Sequence, residues 1–203
     1  ITGKSVKADG DAKVFAFVNK YDAKPKRRLY EVLKSQGLQM NQQVVFLSDG
    51  GDTVRSLQHY LSPESEHLLD WFHITMRLTV MKQMTKGMIT ELASQKKTKK
   101  EADESENTDV PAQLLKQLES IKWHLWHGNV TEALALIYDV NVDLEIWEEN
   151  PTNKKKLLKL VCEFESYIRA NGAFIPNYGD RYRHNETITT AFVESTVNYV
   201  ISK

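Results

Sequence analysis

Val44-Val45-Phe46-Leu47-Ser48-Asp49-Gly50-Gly51-Asp52 runs from a β-prone apolar stretch straight into a carboxylate and a pair of glycines. A short apolar run bounded by glycine reads as a buried strand of a sheet covered on both faces. Open α/β folds keep their sites at the carboxyl edge of such strands, so the pattern sets Asp49 where a metal-binding or catalytic acid belongs. A second reading is equally physical. Asp49 and Asp52 would then form a turn and cap a helix over 53–61, because aspartate at a helix start satisfies free N–H groups. Taken alone the stretch favours the turn, and the residues around it have to decide.

Upstream, 3–8 and 13–18 read as strands around the hairpin signal Asp9-Gly10. Pro25 opens a helix through Leu29, Val32 and Leu33 that Gly37 ends. The pattern continues with a strand over 43–47, the helix over 53–61, a break at Ser62-Pro63 and another short strand over 67–71. Ile74, Leu78, Met81, Met84 and Met88 keep helical spacing across 74–92, and a methionine row of that kind is core packing first. From 94 to 111 the chain is almost wholly charged or polar with no aromatic residue, the composition of an exposed linker. Beyond it three helical stripes follow: Leu114, Leu115, Leu118, Ile121 and Leu125; Ala133, Leu134, Ile137 and Tyr138; Leu157, Leu158, Val161, Phe164 and Ile168, ending before Gly172. A last helix is predicted over 188–201, with Ala191, Phe192, Val197 and Val200 near its apolar side and Glu194 among them. The expected division is an α/β segment over 1–93, a polar linker over 94–111, a helical part over 112–172, and a loop with the final helix over 173–203.

At 203 residues, 41% hydrophobic and 27% charged, the chain has room for one core or a core with a helical side-domain. No apolar run approaches the roughly 20 residues that cross a bilayer, and no signal-peptide pattern opens the chain. Cys162 is the one cysteine, so no internal disulfide forms; we expect a small core residue in a reducing, cytoplasmic setting. The 27 basic and 27 acidic residues leave no net excess, whereas strong DNA binding usually needs a basic patch. Basic clusters at Lys24 to Arg28, Lys96 to Lys100 and Lys154 to Lys156 read as solvated faces. Because the chain starts at Ile1 and stops at Lys203 inside a helical pattern, we expect a piece of a longer protein.

Several residues have chemistry to offer. Asp70-Trp71-Phe72-His73 sets an acid and a histidine three apart, on one face if helical. The pair suits metal binding or a structural hydrogen bond, and the latter is favoured. A carboxylate such as Glu194 within an apolar helical stretch must face solvent, a partner charge or a metal. His124 and His127 flank Trp126 without the cysteines or acids that would complete four zinc ligands, so they read as a helix end with packed tryptophans. Asn177-Tyr178-Gly179-Asp180-Arg181-Tyr182-Arg183 mixes arginine and tyrosine beside a turn. Arg181, Tyr182 and Arg183 suit nucleic-acid backbone contact and base stacking, and equally a polar loop docked on a core. No phosphate-binding loop, dinucleotide fingerprint or Gly-x-Ser-x-Gly elbow occurs, which argues against those chemistries.

Four blocks taken in order, FLSDGGDTVRSLQHYL, HLLDWFHITMRLTVM, IKWHLWHGNVTEAL and IPNYGDRYRHNETITTAFVESTVNYVISK, resemble bacterial insertion-sequence transposases of the acid-triad (DDE) class. The likeness is to the Kra-type branch, related in layout to Mutator-like enzymes, and spans nearly the whole chain. It implies an α/β fold class, an RNase H-like catalytic core, here partial, interrupted by an α-helical insertion before the last acid. By resemblance Asp49 is the second acid and Glu194 the third, while Asp70 and His73 match a supporting acid-x-x-histidine pair. Asp49 is preferred to Asp70 as second acid because Asp70 lies beyond the central strand. Such carboxylates hold two Mg2+ (or Mn2+) about 3.5–4 Å apart for in-line attack on a phosphodiester. The implied partners are double-stranded DNA, as transposon ends and target, and further copies of the chain, with no membrane.

The resemblance has gaps. The family's first acid belongs on a strand expected upstream of Ile1, and Asp9, Asp11 and Asp22 match no first-acid motif. The basic segment expected after the last helix is also lacking. This chain alone is therefore expected to be inactive in transposition while retaining weak metal binding. The alternative is a non-catalytic DNA- or protein-binding module from a truncated transposase. A host RNase H-like nuclease fits less well, because the helical insertion and the Asp-Trp-Phe-His block suit transposases better.

Overall fold

The computed structural model describes residues 2–7, 12–16, 24–39, 42–98 and 110–191. The chain divides into two compact units, one running up to Phe72 and resuming at Ile188, the other spanning His73–Thr187.

In the first unit β1 (Thr2–Val6) and β2 (Ala12–Ala16) pair antiparallel, Thr2 opposite Ala16 and Val6 opposite Ala12. Pro25 occupies the first turn of α1 (Pro25–Ser35), where its fixed φ suits a helix and its missing N–H costs nothing. Leu29 of α1 is buried with Leu57 of α2 (Asp52–Leu61), and Phe15, Leu33 and Leu61 pack around them. β3 (Val45–Ser48) and β4 (Glu66–Leu69) are parallel, Val45 opposite Glu66 and Ser48 opposite Leu69. α2 is the crossover that a parallel pair requires. Among the described residues the protein is thus mixed α/β and mostly helical, with two separate two-stranded sheets.

The second unit is helical: most of α3 (Trp71–Thr98), then α4 (Val110–Trp126), α5 (Val130–Ile146), α6 (Lys154–Asn171), a 3-10 turn (Gly172–Phe174) and α7 (Tyr178–Arg183). Each long helix buries one stripe: Ile74, Leu78, Met81 and Met88; Leu114, Leu118, Ile121 and Leu125; Ala133, Ile137, Val140 and Leu144; Leu157, Val161, Phe164 and Ile168. The spacing is that of a helix face turned to a core, and each such Leu or Ile contributes about 1.5–3 kcal/mol by leaving water. α5 packs against both α4 and α6. Polar ties add to this. Lys82 pairs with Glu119, and Glu91 accepts both the Thr152 backbone N–H and its hydroxyl.

Four expectations need correcting. The strand expected over 67–71 ends at Leu69, because the Asp70 carboxylate accepts the Phe72 N–H at 3.0 Å and starts α3. The unit boundary falls at Phe72 and His73 rather than at 93, so the methionine-bearing helix belongs with the helical unit and runs through Thr98 into the stretch read as linker. Residues 99–109 lie outside the described residues. Cys162 is exposed, because Val161 and Phe164 take the buried face of α6 and Cys162 falls one step off it. The final helix does not start at Ile188, since Ile188 to Thr190 are non-helical and their backbone groups are used elsewhere. Among the described residues no helix is long and apolar enough to cross a membrane.

Candidate functional site

The register of the parallel pair sets two acids side by side. Asp49 follows Ser48 at the end of β3 and Asp70 follows Leu69 at the end of β4, and the Asp70 N–H donates to the Ser48 carbonyl at 2.7 Å. Both leave the sheet at its carboxyl edge, and their environments then diverge.

Asp49 is exposed, and its Oδ1 accepts the Gly51 N–H at 3.0 Å. The turn expected at Asp49 is therefore present. Gly50 has φ +88°, a left-handed conformation that glycine adopts without strain. Gly51 takes the capping position of α2, and Asp52 lies in its first turn, where a negative charge complements the helix dipole. Beneath the turn, Ser48 Oγ accepts the Gly50 N–H at 3.2 Å and hydrogen-bonds His67 Nε2 at 2.9 Å. Burial lowers the His67 pKa from 6.5, the nearby Arg55 guanidinium and His59 push it the same way, and the Asp49 carboxylate pushes it up. The ring stays neutral at neutral pH and is tied electrostatically to Asp49.

Asp70 is 0% exposed. Its Oδ1 accepts the N–H groups of Phe72 and Thr190, each at 3.0 Å, and its Oδ2 accepts the Thr190 hydroxyl. Alongside, the Trp71 N–H donates to the Ile188 carbonyl at 3.1 Å. These bonds stitch the end of β4 to the segment returning from the helical unit. His73 is half-buried in the first turn of α3. Glu194 lies outside the described residues.

The residues expected to touch DNA, Arg181, Tyr182 and Arg183, sit on α7. Arg181 Nη1 pairs with Glu186 Oε2 at 2.6 Å and Arg183 Nη2 with Asp180 Oδ1 at 3.3 Å, so each guanidinium already faces a carboxylate. Tyr178 is fully buried and stacks on Trp126, with ring centroids 6.4 Å apart. Tyr182 is 65% exposed and contacts the same indole at 6.0 Å. A Cβ at Gly179 would stand 2.6 Å from Trp126 Nε1, so glycine is what lets α7 lie against the tryptophan. Tyr178 docks the segment on the tryptophan, as the reading of a polar loop packed on a core expects, and Tyr182 remains at the surface.

Among the described residues no three of His, Cys, Asp and Glu are grouped to hold a metal ion. Asp49 fits Mg2+ or Mn2+ as an exposed, hard oxygen donor on a strand end. Asp70 does not fit, because its buried oxygens already accept three hydrogens. Sequence reasoning missed the partnership of Ser48 with His67 and of Asp70 with Thr190. The aspartate directly before a helix was a usable sign of a capping role; nothing local marked Thr190.

Compared with known proteins, the chain matches no family model, no curated protein and no solved structure.

Proposed function

We propose that the chain is core material of a DDE-type insertion-sequence transposase: a partial RNase H-like fold, interrupted by helices, that acts in the cytoplasm as a homo-oligomer on double-stranded DNA. The observation that carries this reading is the exposed Asp49 at the carboxyl edge of a parallel β-α-β unit, where α/β proteins build their sites. The interrupted first unit, which resumes at Ile188 ahead of Glu194, supports it as well. Asp49 and Glu194 would hold Mg2+ or Mn2+, which when bound supplies Lewis-acid stabilisation of the attacking and leaving oxygens. The Asp49 carboxylate is oriented by the Gly51 N–H, and the strand end beneath it is fixed by Ser48 and His67.

Calorimetric titration with Mn2+ tests the reading. Weak binding is expected in the wild-type chain and is lost in Asp49→Ala and in Glu194→Gln; variants that bind as the wild type does would overturn it. In a DNA-cleavage assay with Mg2+ or Mn2+ the chain alone is expected to be inactive, and efficient cleavage abolished by Asp49→Ala would refute that expectation.

A second reading, a non-catalytic DNA- or protein-binding module from a truncated transposase, is favoured by the balanced charge, and its protein-binding form by the ion-paired Arg181 and Arg183. Under the protein-binding form, Arg183→Ala leaves DNA affinity and its salt dependence unchanged, whereas a phosphate contact would lower the salt slope by about one.

A further inference from the structure

The formal charge of the chain sums to zero, yet the two signs are kept apart. Between 129 and 153 lie Glu132, Asp139, Asp143, Glu145, Glu148 and Glu149, with no lysine or arginine. Among the described residues none of these acids is in an ion pair. On α5 the side away from the buried stripe sets Tyr138, Val142 and Ile146 four residues apart, with Tyr138 60% and Ile146 70% exposed. Asp139 and Glu145 are exposed on either side of that row. Toward α4 it opens into a groove of about 370 Å³ lined by Gln113, Gln117, Tyr138, Asp139, Val142 and Asp143. Both glutamine amides donate to one Asp143 oxygen, at 3.4 and 2.7 Å, and the Gln117 carbonyl oxygen is left buried without a donor among the described residues. An exposed apolar row with a carboxylate border has the make-up of a protein interface, and its acceptors and aromatic ring suit a cationic partner.

The complementary surface lies in the same sequence. Residues 24–34 hold Lys24, Lys26, Arg27, Arg28 and Lys34 against the single acid Glu31. Arg27, Tyr30 and Lys34 recur at helical spacing on the exposed side of α1, opposite the buried Leu29. Arg27 pairs with Glu31 four residues on, an exposed bond too weak to withhold the guanidinium from a partner. We propose that a second copy of this chain occupies the α5 face. Its α1 sets Tyr30 against the row of Tyr138, Val142 and Ile146, and turns Arg27 and Lys34 toward Asp139 and Glu145. The two bases stand seven residues apart and the two acids six, about 10 and 9 Å along their helices, so an α1 crossing the row obliquely meets both acids. Each copy carries both surfaces, and a reciprocal pair uses the match twice. The inference goes beyond the transposase reading, which implies further copies without saying where they meet, and it does not depend on the metal site.

Two charge-reversed variants of the full chain test this: Asp139→Lys with Glu145→Lys on α5, and Arg27→Glu with Lys34→Glu on α1. All four side chains are exposed, and circular dichroism checks that each variant keeps the wild-type helix content. In analytical ultracentrifugation the wild type is expected to dimerise, with a dissociation constant that rises with salt. Each variant alone should associate about 100-fold more weakly or less, because like charges then face each other. An equimolar mixture of the two regains the wild-type association, since each supplies the sign that the other lacks. A wild type that stays monomeric overturns the proposal, and so does a mixture that associates no more tightly than its components. A monomeric wild type that binds a labelled oligoarginine peptide, and loses it in Asp139→Lys with Glu145→Lys, also overturns it and gives the face to a basic partner other than a second copy. None of these measurements involves Mn2+, so a failure here leaves the reading of Asp49 untouched, and a failure there leaves this one.

Discussion

In the helical unit Leu114 of α4, Ile137 of α5, and Leu157 and Ile168 of α6 are all 0% exposed. In the α/β unit the buried pair Leu29 and Leu57 is ringed by Phe15, Leu33 and Leu61, which are only partly buried. The contrast follows from where each unit satisfies its backbone. A helix closes its hydrogen bonds internally, so its stability is decided by the apolar side chains it can stack. A strand needs neighbours, and among the described residues β3 and β4 have only each other. The α/β unit also buries Leu68 and Leu69 of β4, and to these apolar contacts it adds placed hydrogen bonds at the sheet edge, Ser48 with His67 and Asp70 with Thr190.

The largest effect should come from emptying the helical core. Phe164→Ala is expected to cost about 3–5 kcal/mol in urea unfolding, with exchange protection falling across α4, α5 and α6 and β3–β4 unaffected. Leu57→Ala, in the looser cluster, should cost about 2 kcal/mol, the low end for such a truncation, and leave the helical amides protected. Loss of protection in both units from either variant would break the distinction.

Gly50→Ala comes next, because alanine at φ +88° carries a penalty of about 1–2 kcal/mol. It should lower the thermal midpoint and weaken Mn2+ binding together, since the same turn orients Asp49. A lowered midpoint with intact ion affinity would separate the turn from the site.

The smallest effect is a pH slope. Burial, and then Arg55, hold the His67 pKa below 6.5, so the unfolded chain takes up a proton before the folded ring does. The contribution is complete above pH 6.5 and declines as the pH falls below it, until the folded ring itself is protonated. The thermal midpoint of the wild type should therefore fall between about pH 7 and pH 5 more than that of His67→Gln, and equal slopes would remove His67 from the account. A cation bound at Asp49 would offset the carboxylate that raises this pKa, so NMR titration of the ring should report a further decrease in saturating Mg2+.

Much of the helical unit was legible because its information is local. The stripes on α4, α5 and α6 lie at the expected positions, and Trp126 with Gly128 closes α4 as the tryptophan-rich run suggested. Asp49 at a strand end was legible for the same reason, since an apolar run followed by Asp-Gly-Gly needs no distant partner. The misreadings were non-local or one step out of phase. β4 stops early and the segment at Ile188 stays non-helical because Asp70 and Thr190 satisfy each other, and neither residue signals the other in sequence. Cys162 shares a helical stripe only approximately, and a single 100° step carries it to the surface. The pairing of Arg183 with Asp180, three residues apart, could have been foreseen from helix geometry, and it bears directly on the DNA contact proposed for that arginine.

The contact between Asp70 and Thr190 spans 120 positions, and that separation has a consequence during synthesis. At ribosomal speeds of 5–20 residues per second, about 6–24 s pass between the two residues emerging. Throughout that interval β3, α2 and β4 are available but their edge lacks its closing partner, while the helices can already collapse on one another. Collapse shortens the effective loop and lowers the chain-entropy cost of bringing its ends together. A chain whose helices have collapsed is therefore expected to close the contact between Asp70 and Thr190 more readily than an extended one.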